Sequence, residues 1–586
     1  MPKHAVCIKL YLVFASLVFL SLPAADTQAS RQPGGDPQAQ SDSVLPTWKK
    51  QGLTWRASVA SDGTEANGYM GEDLAISADG RYVVFASAAT NLVPDDLPYS
   101  PEDIYLHDNQ TGGTERISVS SAGLPGNQDA YYGVDISADG RYVVFCTKAS
   151  NLVSGDTNNV WDVFLRDRTA GSTIRVSVPS AGGQSNGNSW QPRISEDGLV
   201  IVYASEATNL VDGDTNNRMD IFAYDRGSGQ TERVSVSSSE EQGNDGVELA
   251  PAVSADGRFV AFTSDASNLV PGDTNNFCDM NWDGTYNENC PDVFVRDRTL
   301  GTTERVSVSS SQLEGNDASL SPAISGNGRY VAFYSVAGNL VPDDTNTCWS
   351  WYHESGPCPD VFVRDRTGGT TGRVSLSSLG AQSAHSSMNV NRKPPAISSD
   401  GRYVAFESDD TELAAGATNG KTQILVHDRD TGQTTLGSAN TYGWQGDDWS
   451  TCPVDLSADG RYLAIFSRAN DLVTDDGNGL ADIFVRDRVV WTYAVDGTVR
   501  DAAGNPIPDV WVGYGSKVGQ SKLTDTNGFY ELYYMPPGQY TIKARKPGLL
   551  SDPFERLVSI SDTTINGIDF VMRPPSGILY LPLVRR

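Results

Sequence analysis

The phrase D-T-N-x-x-x-D recurs along this chain and is the first candidate for chemistry. It occurs as Asp156, Asn158 and Asp162, as Asp214, Asn216 and Asp220, and as Asp273, Asn275 and Asp279. A relative runs Asp476, Asn478, Asp482. Carboxylates and amides spaced this closely on a loop offer hard oxygen ligands, which suit Ca2+. The competing explanation is turn formation, because Asp and Asn side chains also bond their own backbone. A fifth copy keeps Asp344 and Asn346, with Asp360 arriving after an insertion. The copies DDLPYSPED and GATNGKTQ read as degraded.

One segment is sharper. CDMNWDGTYNENCPD, from Cys278 to Asp292, contains D-x-N-x-D-G as Asp279, Asn281, Asp283 and Gly284. That is the first half of an EF-hand-type calcium loop, with glycine at the bend. Cys290 replaces the expected closing Glu, so Asp292 or Glu288 would have to complete the ligands. The alternative is a disulfide-tied loop without metal. Cys278 and Cys290 bracket this insertion, and Cys348 and Cys358 bracket the next. Each pair is expected to close a local disulfide. Cys146 and Cys452 are expected to be buried free thiols. The insertions also carry Trp282, Trp349, Trp351 and Tyr352, a candidate rim for sugar or protein contacts. Packing of those rings on the body of the fold is the alternative.

Catalytic patterns are missing. There is no G-x-S-x-G elbow. His107, His353, His385 and His427 share no motif, and His107 and His427 stand where other copies of V-R-D have Arg. The V-R-D arginines, such as Arg166, Arg296 and Arg364, are expected to pair with nearby Asp. No catalytic residue is assigned, and the expectation is a non-enzyme. Paired carboxylates meeting across a channel, as in a polysaccharide hydrolase or lyase, are the alternative.

These loops are positioned by a repeat. Seven copies of one phrase run LAISADGRYVVF at Leu74, VDISADGRYVVF at Val134, PRISEDGLVIVY at Pro192, PAVSADGRFVAF at Pro251, PAISGNGRYVAF at Pro322, PAISSDGRYVAF at Pro395 and VDLSADGRYLAI at Val454. The spacing is close to 59 residues, with two longer intervals. Such self-similarity indicates a repeat architecture. Each copy continues into a D-V-F-V-R-D segment and a T-E-R-V-S-V-S-S segment. The apolar runs between Asp-Gly and Asn-Asn punctuation read as four short strands, with a two-residue turn at Asp-Gly. Runs apolar on both faces need a neighbour on each side, which radial stacking provides. The fold class expected is all-β, a seven-bladed propeller. The last copy lacks its fourth segment, and TWRASVAS supplies one before the first copy, from Thr54 to Ser61. The N-terminal strand should therefore close the last blade.

The phrase S-x-D-G-R-Y-V-A-F followed by D-V-F-V-R-D resembles the TolB-like, WD-repeat-like propeller unit over residues 54–490. That resemblance implies a binding platform and, in one version, a periplasmic partner of an envelope complex. After residue 490 the period stops. VDGTVRDAAGNPIPDVWVGYG and TDTNGFYELYYMPPGQYTIKARKPG resemble the carboxypeptidase regulatory-like domain, over residues 491–573. This implies a small prealbumin-like β-sandwich that does no chemistry. The tail 574–586, GILYLPLVRR and its approach, reads as a terminal strand or a sorting signal.

The N-terminus carries Lys3 and Lys9, an apolar run from Leu10 to Ala25, then small residues. That is the layout of a secretory signal peptide over residues 1–29, cut after Ala25 or Ala29, with a linker at 30–53. A retained anchor is the alternative. No later segment is long and apolar enough to span a bilayer. The net charge of -29 excludes nucleic acid as a natural partner. The reading is a secreted, cell-surface or periplasmic binding protein for a protein or glycan ligand, with calcium as its one expected cofactor.

Overall fold

A computed structural model describes residues 53–96, 101–275, 278, 289–348, 356–383, 393–441, 443–474, 476–488, 495–513, 521–532, 538–553, 555–560 and 565–573. All of them fall in the compact unit Trp48–Arg586. The expected signal peptide, linker and tail lie outside the described residues.

Seven four-stranded antiparallel sheets are described between residues 54 and 487. Blade 2 is typical: Ala130–Ile136, Tyr142–Thr147, Asp162–Asp167 and Ser172–Arg175, each hydrogen-bonded to the next. The first strands of the other blades are Met70–Ile76, Ser189–Ile194, Val247–Val253, Ser319–Ile324, Ala396–Ile397 and Ser450–Leu456. Each of the seven touches the first strand of the next blade, and that of blade 7 touches that of blade 1. The ring is closed, and first strands line its axis.

Alternation along one strand explains the doubly apolar runs. In the second strand of blade 1, Val83 and Phe85 pack with Ile483 and Val485 of blade 7. Val84 and Ala86 pack with Val134 and Phe145 of blade 2. Successive side chains point to opposite faces, so every residue of the run is buried, one set against each neighbouring blade.

The repeated Asp-Gly-Arg-Tyr phrase also joins blades. The hairpin is wider than the two-residue turn expected. Ser137 N bonds Tyr142 O, Gly140 N bonds Ser137 O, and of these residues only the glycine has positive φ (+71°). Asp139 holds the loop by accepting from Ser137 Oγ and Arg141 N. A Cβ on Gly140 would stand 2.1 Å from Cδ2 of Tyr82 in the preceding blade. Glycine is thus required twice there, for conformation and for space. Arg81 and Arg168 lie over the Tyr82 ring at 4.7 and 4.5 Å.

The V-R-D arginines differ from expectation. Arg166 donates to Ser120 O of blade 1, to Gly171 O and to Thr173 Oγ1. Arg296 and Arg364 make the corresponding bonds to Ser237 O and Ser309 O. They bind carbonyls of the preceding blade, and among the described residues none pairs with an Asp, although Arg296 also meets Glu240. The Asp of V-R-D points to the opposite face and is taken by the Arg of D-G-R: Arg141 Nη2 to Asp167 Oδ2 is 2.7 Å. His107 and His427 keep the threonine contact of the arginines they replace, each at 2.9 Å.

The chain ends meet as expected. Thr54–Arg56 pairs with Asp482–Asp487, Arg56 opposite Phe484. Ser58 donates to Asp482, and Trp55 Nε1 reaches Asn109 Oδ1 of blade 1 at 2.7 Å.

Residues 495–573 form two further four-stranded sheets. One runs Phe529–Leu532, Val495–Asp501, Phe570–Arg573, Leu550–Asp552; the other runs Ser521–Leu523, Trp511–Gly513, Gly538–Arg545, Glu555–Ile560. Val499, Val512, Tyr530, Ile542 and Phe570 are among its buried core.

Candidate ligand site at the channel mouth

The Asp-Thr-Asn loops join the second and third strands of each blade, so they stand at one end of all blades. In every blade but the sixth, the loop delivers carboxylates to a buried arginine from the fourth strand. In blade 2, Arg175 Nη1 lies 3.1 Å from Asp156 Oδ1 and 3.2 Å from Asp162 Oδ2. Asn158 and Ser177 donate to Asp162 as well. Blade 3 repeats this with Asp214, Asn216, Asp220 and Arg233, and blade 5 with Asp344, Asn346, Asp360 and Arg373. In blade 7 the arginine is Arg56, which meets Asp476 and Asp482. In each of these clusters a guanidinium stands beside the oxygens that a cation would need.

The two loops that read as degraded differ: the reading holds for blade 6 and fails for blade 1. Blade 1 keeps the cluster: Arg116 pairs with Asp95, Asp96 and Asp103. Blade 6 has lost every charged member together, with Ala417, Gln423 and Leu436 in place of Asp, Asp and Arg. Ser438 there donates to Gln423 Oε1 at 2.7 Å.

Blade 4 carries one carboxylate more than blades 2, 3 and 5, as blade 7 does through Glu65 on Arg56. Arg305 meets Asp273, Asp292 and Glu314 together. Blades 2, 3 and 5 place Gln184, Gln242 and Gln382 where Glu314 stands. Burial, then the neighbouring Asp292, pushes the Asp273 carboxyl up to about 7. Burial pushes Asp292 up to about 6. Its oxygens accept from Arg305 and Ser307, which commits Asp292 to them. Asp279, Asn281 and Asp283 lie outside the described residues, as do Trp282, Trp349, Trp351 and Tyr352. Cys278 and Cys290 form a disulfide. Cys358 is disulfide-bonded too, and the Cys348 side chain lies outside the described set. Cys146 and Cys452 are free and buried.

The same end of the blades carries accessible aromatic rings that sequence reading missed. Tyr69 is 53% exposed, Trp449 47% and Tyr132 45%. In blade 2, Tyr131 and Tyr132 stand 4.2 Å apart, and their centroids lie 4.7 and 5.0 Å from the Trp161 ring. Trp161 itself is buried, 7% exposed, and Lys148 Nζ lies 5.3 Å from its ring. Tyr132, Lys148 and Trp161, with Trp190, Asn188, Gln191 and Met219 of blade 3, line a cavity of about 420 Å3.

A bulge in the first strands turns these residues outward. Pairing shifts register between Ala130 and Val134 in blade 2, and between Trp190 and Arg193 in blade 3. Tyr132 and Gln191 sit there at φ +67° and +50°, a region that residues with a Cβ seldom occupy. Ser321 of blade 5 shares the bend at φ +56°. The bend therefore belongs to the fold, and the rings are what blades 2 and 3 add to it. The pair Tyr131-Tyr132 and the lone Trp190, just upstream of the repeated phrase, were the available signal.

Carboxylates also reach this mouth. Glu102 directly precedes the third strand of blade 1, the place Trp161 and Met219 hold in blades 2 and 3. Its Oε1 is buried without a hydrogen-bond partner. Burial, then Asp73 and Asp129, raises this carboxyl to about 7. Asp73 accepts from Gly133 N at 3.1 Å and pairs with Lys393 at 3.0 Å.

Comparison with known proteins identifies the second domain. Residues 494–573 match the carboxypeptidase regulatory-like domain. No curated protein matches the chain. Among solved structures, TolB from Acinetobacter baumannii is 13% identical, with a TM-score of 0.32 over 57% of this chain and 62% of its own. This chain thus spans less than two thirds of that protein. The β-propeller domain of the Trilobed protease from Pyrococcus furiosus is 12% identical, with a TM-score of 0.40 over 72% of this chain and 95% of its own. An oligogalacturonate lyase in complex with manganese is 12% identical, with a TM-score of 0.42 over 75% and 98%. The propeller assignment rests on the strand order and closed ring above.

Proposed function

We propose that this chain is an extracytoplasmic, non-enzymatic binding propeller that takes a protein or glycan ligand on the blade end carrying the Asp-Thr-Asn loops. The observation that carries the reading is the aromatic cavity between blades 2 and 3. A concave site of this size, mostly apolar with a few polar groups, has the build of a ligand pocket. The Cys278–Cys290 disulfide and the secretory layout of the first residues favour a compartment outside the cytoplasm. No helix among the described residues is long and apolar enough to cross a membrane. A periplasmic envelope-complex partner is one form of the same reading. Calcium belongs to it at Asp279, Asn281 and Asp283, with Glu288 completing the set because Asp292 is committed to Arg305. The test is binding of the immobilised full chain to soluble polysaccharides and to secreted or envelope proteins. Binding lost in the Tyr132→Ala/Trp190→Ala protein is the expected result. Ligands that bind both proteins equally would overturn the reading.

A second reading, a polysaccharide hydrolase or lyase, is favoured by one observation: the Glu102 carboxyl near Asp73, whose Oε1 is buried without a hydrogen-bond partner. A proton-holding carboxyl near neutrality suits general acid catalysis. Release of sugar ends from a polysaccharide, abolished in Glu102→Gln, would put this reading first.

A further inference from the structure

We infer that the cavity between blades 2 and 3 is a subsite for one pyranose ring of an uncharged glycan. This rests on the binding reading above and names its ligand class. A pyranose offers an apolar C–H face and a rim of hydroxyls, so its site needs a flat apolar surface edged by donors and acceptors. Tyr132 and Trp190 supply the surface. Tyr132 presents nearly half its area to solvent while buried Trp161 braces it edge-on, 5.0 Å away. A ring held this way loses little freedom when a ligand stacks on it.

The polar edge is also in place. Asn188 spends its Oδ1 on Trp161 N and one Nδ2 proton on Glu206 Oε2, which leaves the other proton for a ligand. Among the described residues, Gln191 lines the cavity without a side-chain hydrogen bond, and Lys148 lies over the Trp161 ring without a salt bridge. Those three groups sit around the rings, where equatorial hydroxyls would lie.

Charge selects an uncharged ring. The one cation lining the cavity, Lys148, lies over the Trp161 ring, and the Glu206 carboxylate that accepts from Asn188 offsets its charge on the neighbouring blade. The chain carries -29 overall, which disfavours polyanionic glycans at low salt. The volume of about 420 Å3 is of small-ligand size and lies at the low end of the usual range. An open cavity of this kind passes the rest of a chain out along the mouth, where Tyr69 and Trp449 expose further rings.

The test is a tryptophan-fluorescence titration of the full chain with five hexaoses: cello-, laminari-, xylo-, manno- and N-acetylchitohexaose. At least one is expected to give a saturable change. Tyr132→Ala and Trp190→Ala should each weaken it at least about tenfold, and Leu379→Ser on an outer hairpin should leave it unchanged. Tyr132→Phe, which keeps the ring, should bind as the parent does, and thermal midpoints check that all variants fold. No saturable hexaose, or affinities indifferent to Tyr132 and Trp190, would overturn the inference. A protein ligand lost with the same substitutions, with every hexaose silent, would overturn the sugar subsite and leave the binding reading standing. Failure of both probes removes both.

Discussion

Arg56 and Asp482 stand at opposite ends of the propeller sequence, yet Arg56 Nε lies 3.4 Å from Asp482 Oδ2 with both side chains buried. Arg56 does in blade 7 what Arg175 does in blade 2. The ring is closed by the same charged cluster that organises its interior blades, assembled from two chain ends. Removing Arg56 leaves Asp476 and Asp482 buried without their cation. Breaking such a pair costs about 3–5 kcal/mol. Arg56→Ala is expected to lower stability on that scale in chemical denaturation. A loss no larger than that of an exposed substitution would contradict the closure role.

Blade 6 shows how the cluster can be lost without harm. Its Ala417, Gln423 and Leu436 replace all charged members at once. Arg175→Leu alone should destabilise blade 2. Asp156→Ala/Asp162→Gln/Arg175→Leu, which copies blade 6, should recover most of that loss, because a packed neutral set replaces a buried ion pair at little cost. A triple variant as unstable as the single one would show that the carboxylates have another task.

Gly140 and Gly155 separate conformation from space. Both have positive φ, +71° and +77°, but a Cβ on Gly155 meets nothing within 4 Å. Gly155→Ala should cost only the left-handed backbone penalty, about 1–2 kcal/mol. Gly140→Ala should cost about 1–3 kcal/mol more, from overpacking against Tyr82. Equal losses would refute the inter-blade wedge.

Stability should fall as pH rises toward neutrality. Asp273 and Asp455 are pushed up to about 7, and Asp103, Asp292 and Asp482 to about 6, each chiefly by burial. Such groups hold more protons folded than unfolded between their ordinary value and the raised one. In that window, from ~pH 4 to ~7, stability declines with pH. Below it the sign reverses. Arg141, Arg329 and Arg402 hold Asp167, Asp365 and Asp428 down to about 2, and their contribution is lost as pH falls from ~4 to ~2. The thermal midpoint should therefore peak in mildly acidic buffer. Glu314→Gln, which gives blade 4 the residue of blades 2, 3 and 5, should flatten the upper limb. A midpoint rising steadily to pH 8 would contradict this.

Calcium has a sharper prediction than the bare motif allowed. In blades 2 and 3, arginines already neutralise the Asp-Thr-Asn oxygens. Excess calcium over EGTA should raise the midpoint in wild-type and Asp156→Asn proteins and have no effect on Asp283→Ala. A response abolished by Asp156→Asn would move the ion into those loops.

The fold was legible because its signals are local and repeated. Strand runs, Asp-Gly hairpins and the displaced Thr54–Arg56 strand each follow from spacing. Partner choice was less legible. Arg166 was expected to find a nearby Asp, but Asp167 faces the opposite way, and only the stacking of blades showed which carbonyls Arg166 meets. The candidate site was missed for a related reason. Tyr132 and Trp190 lie just upstream of the repeated phrases, Trp161 fills a variable position of one, and nothing in their spacing brings blades 2 and 3 together.

The most direct test of the account is amide hydrogen exchange of the full chain, free and saturated with whichever ligand it binds. Slowed exchange at residues 130–133, 160–162 and 188–191 is the result expected if the ligand sits in the cavity between blades 2 and 3. Protection confined to the opposite hairpins, such as residues 78–81 and 138–141, or to residues 495–573, would contradict it.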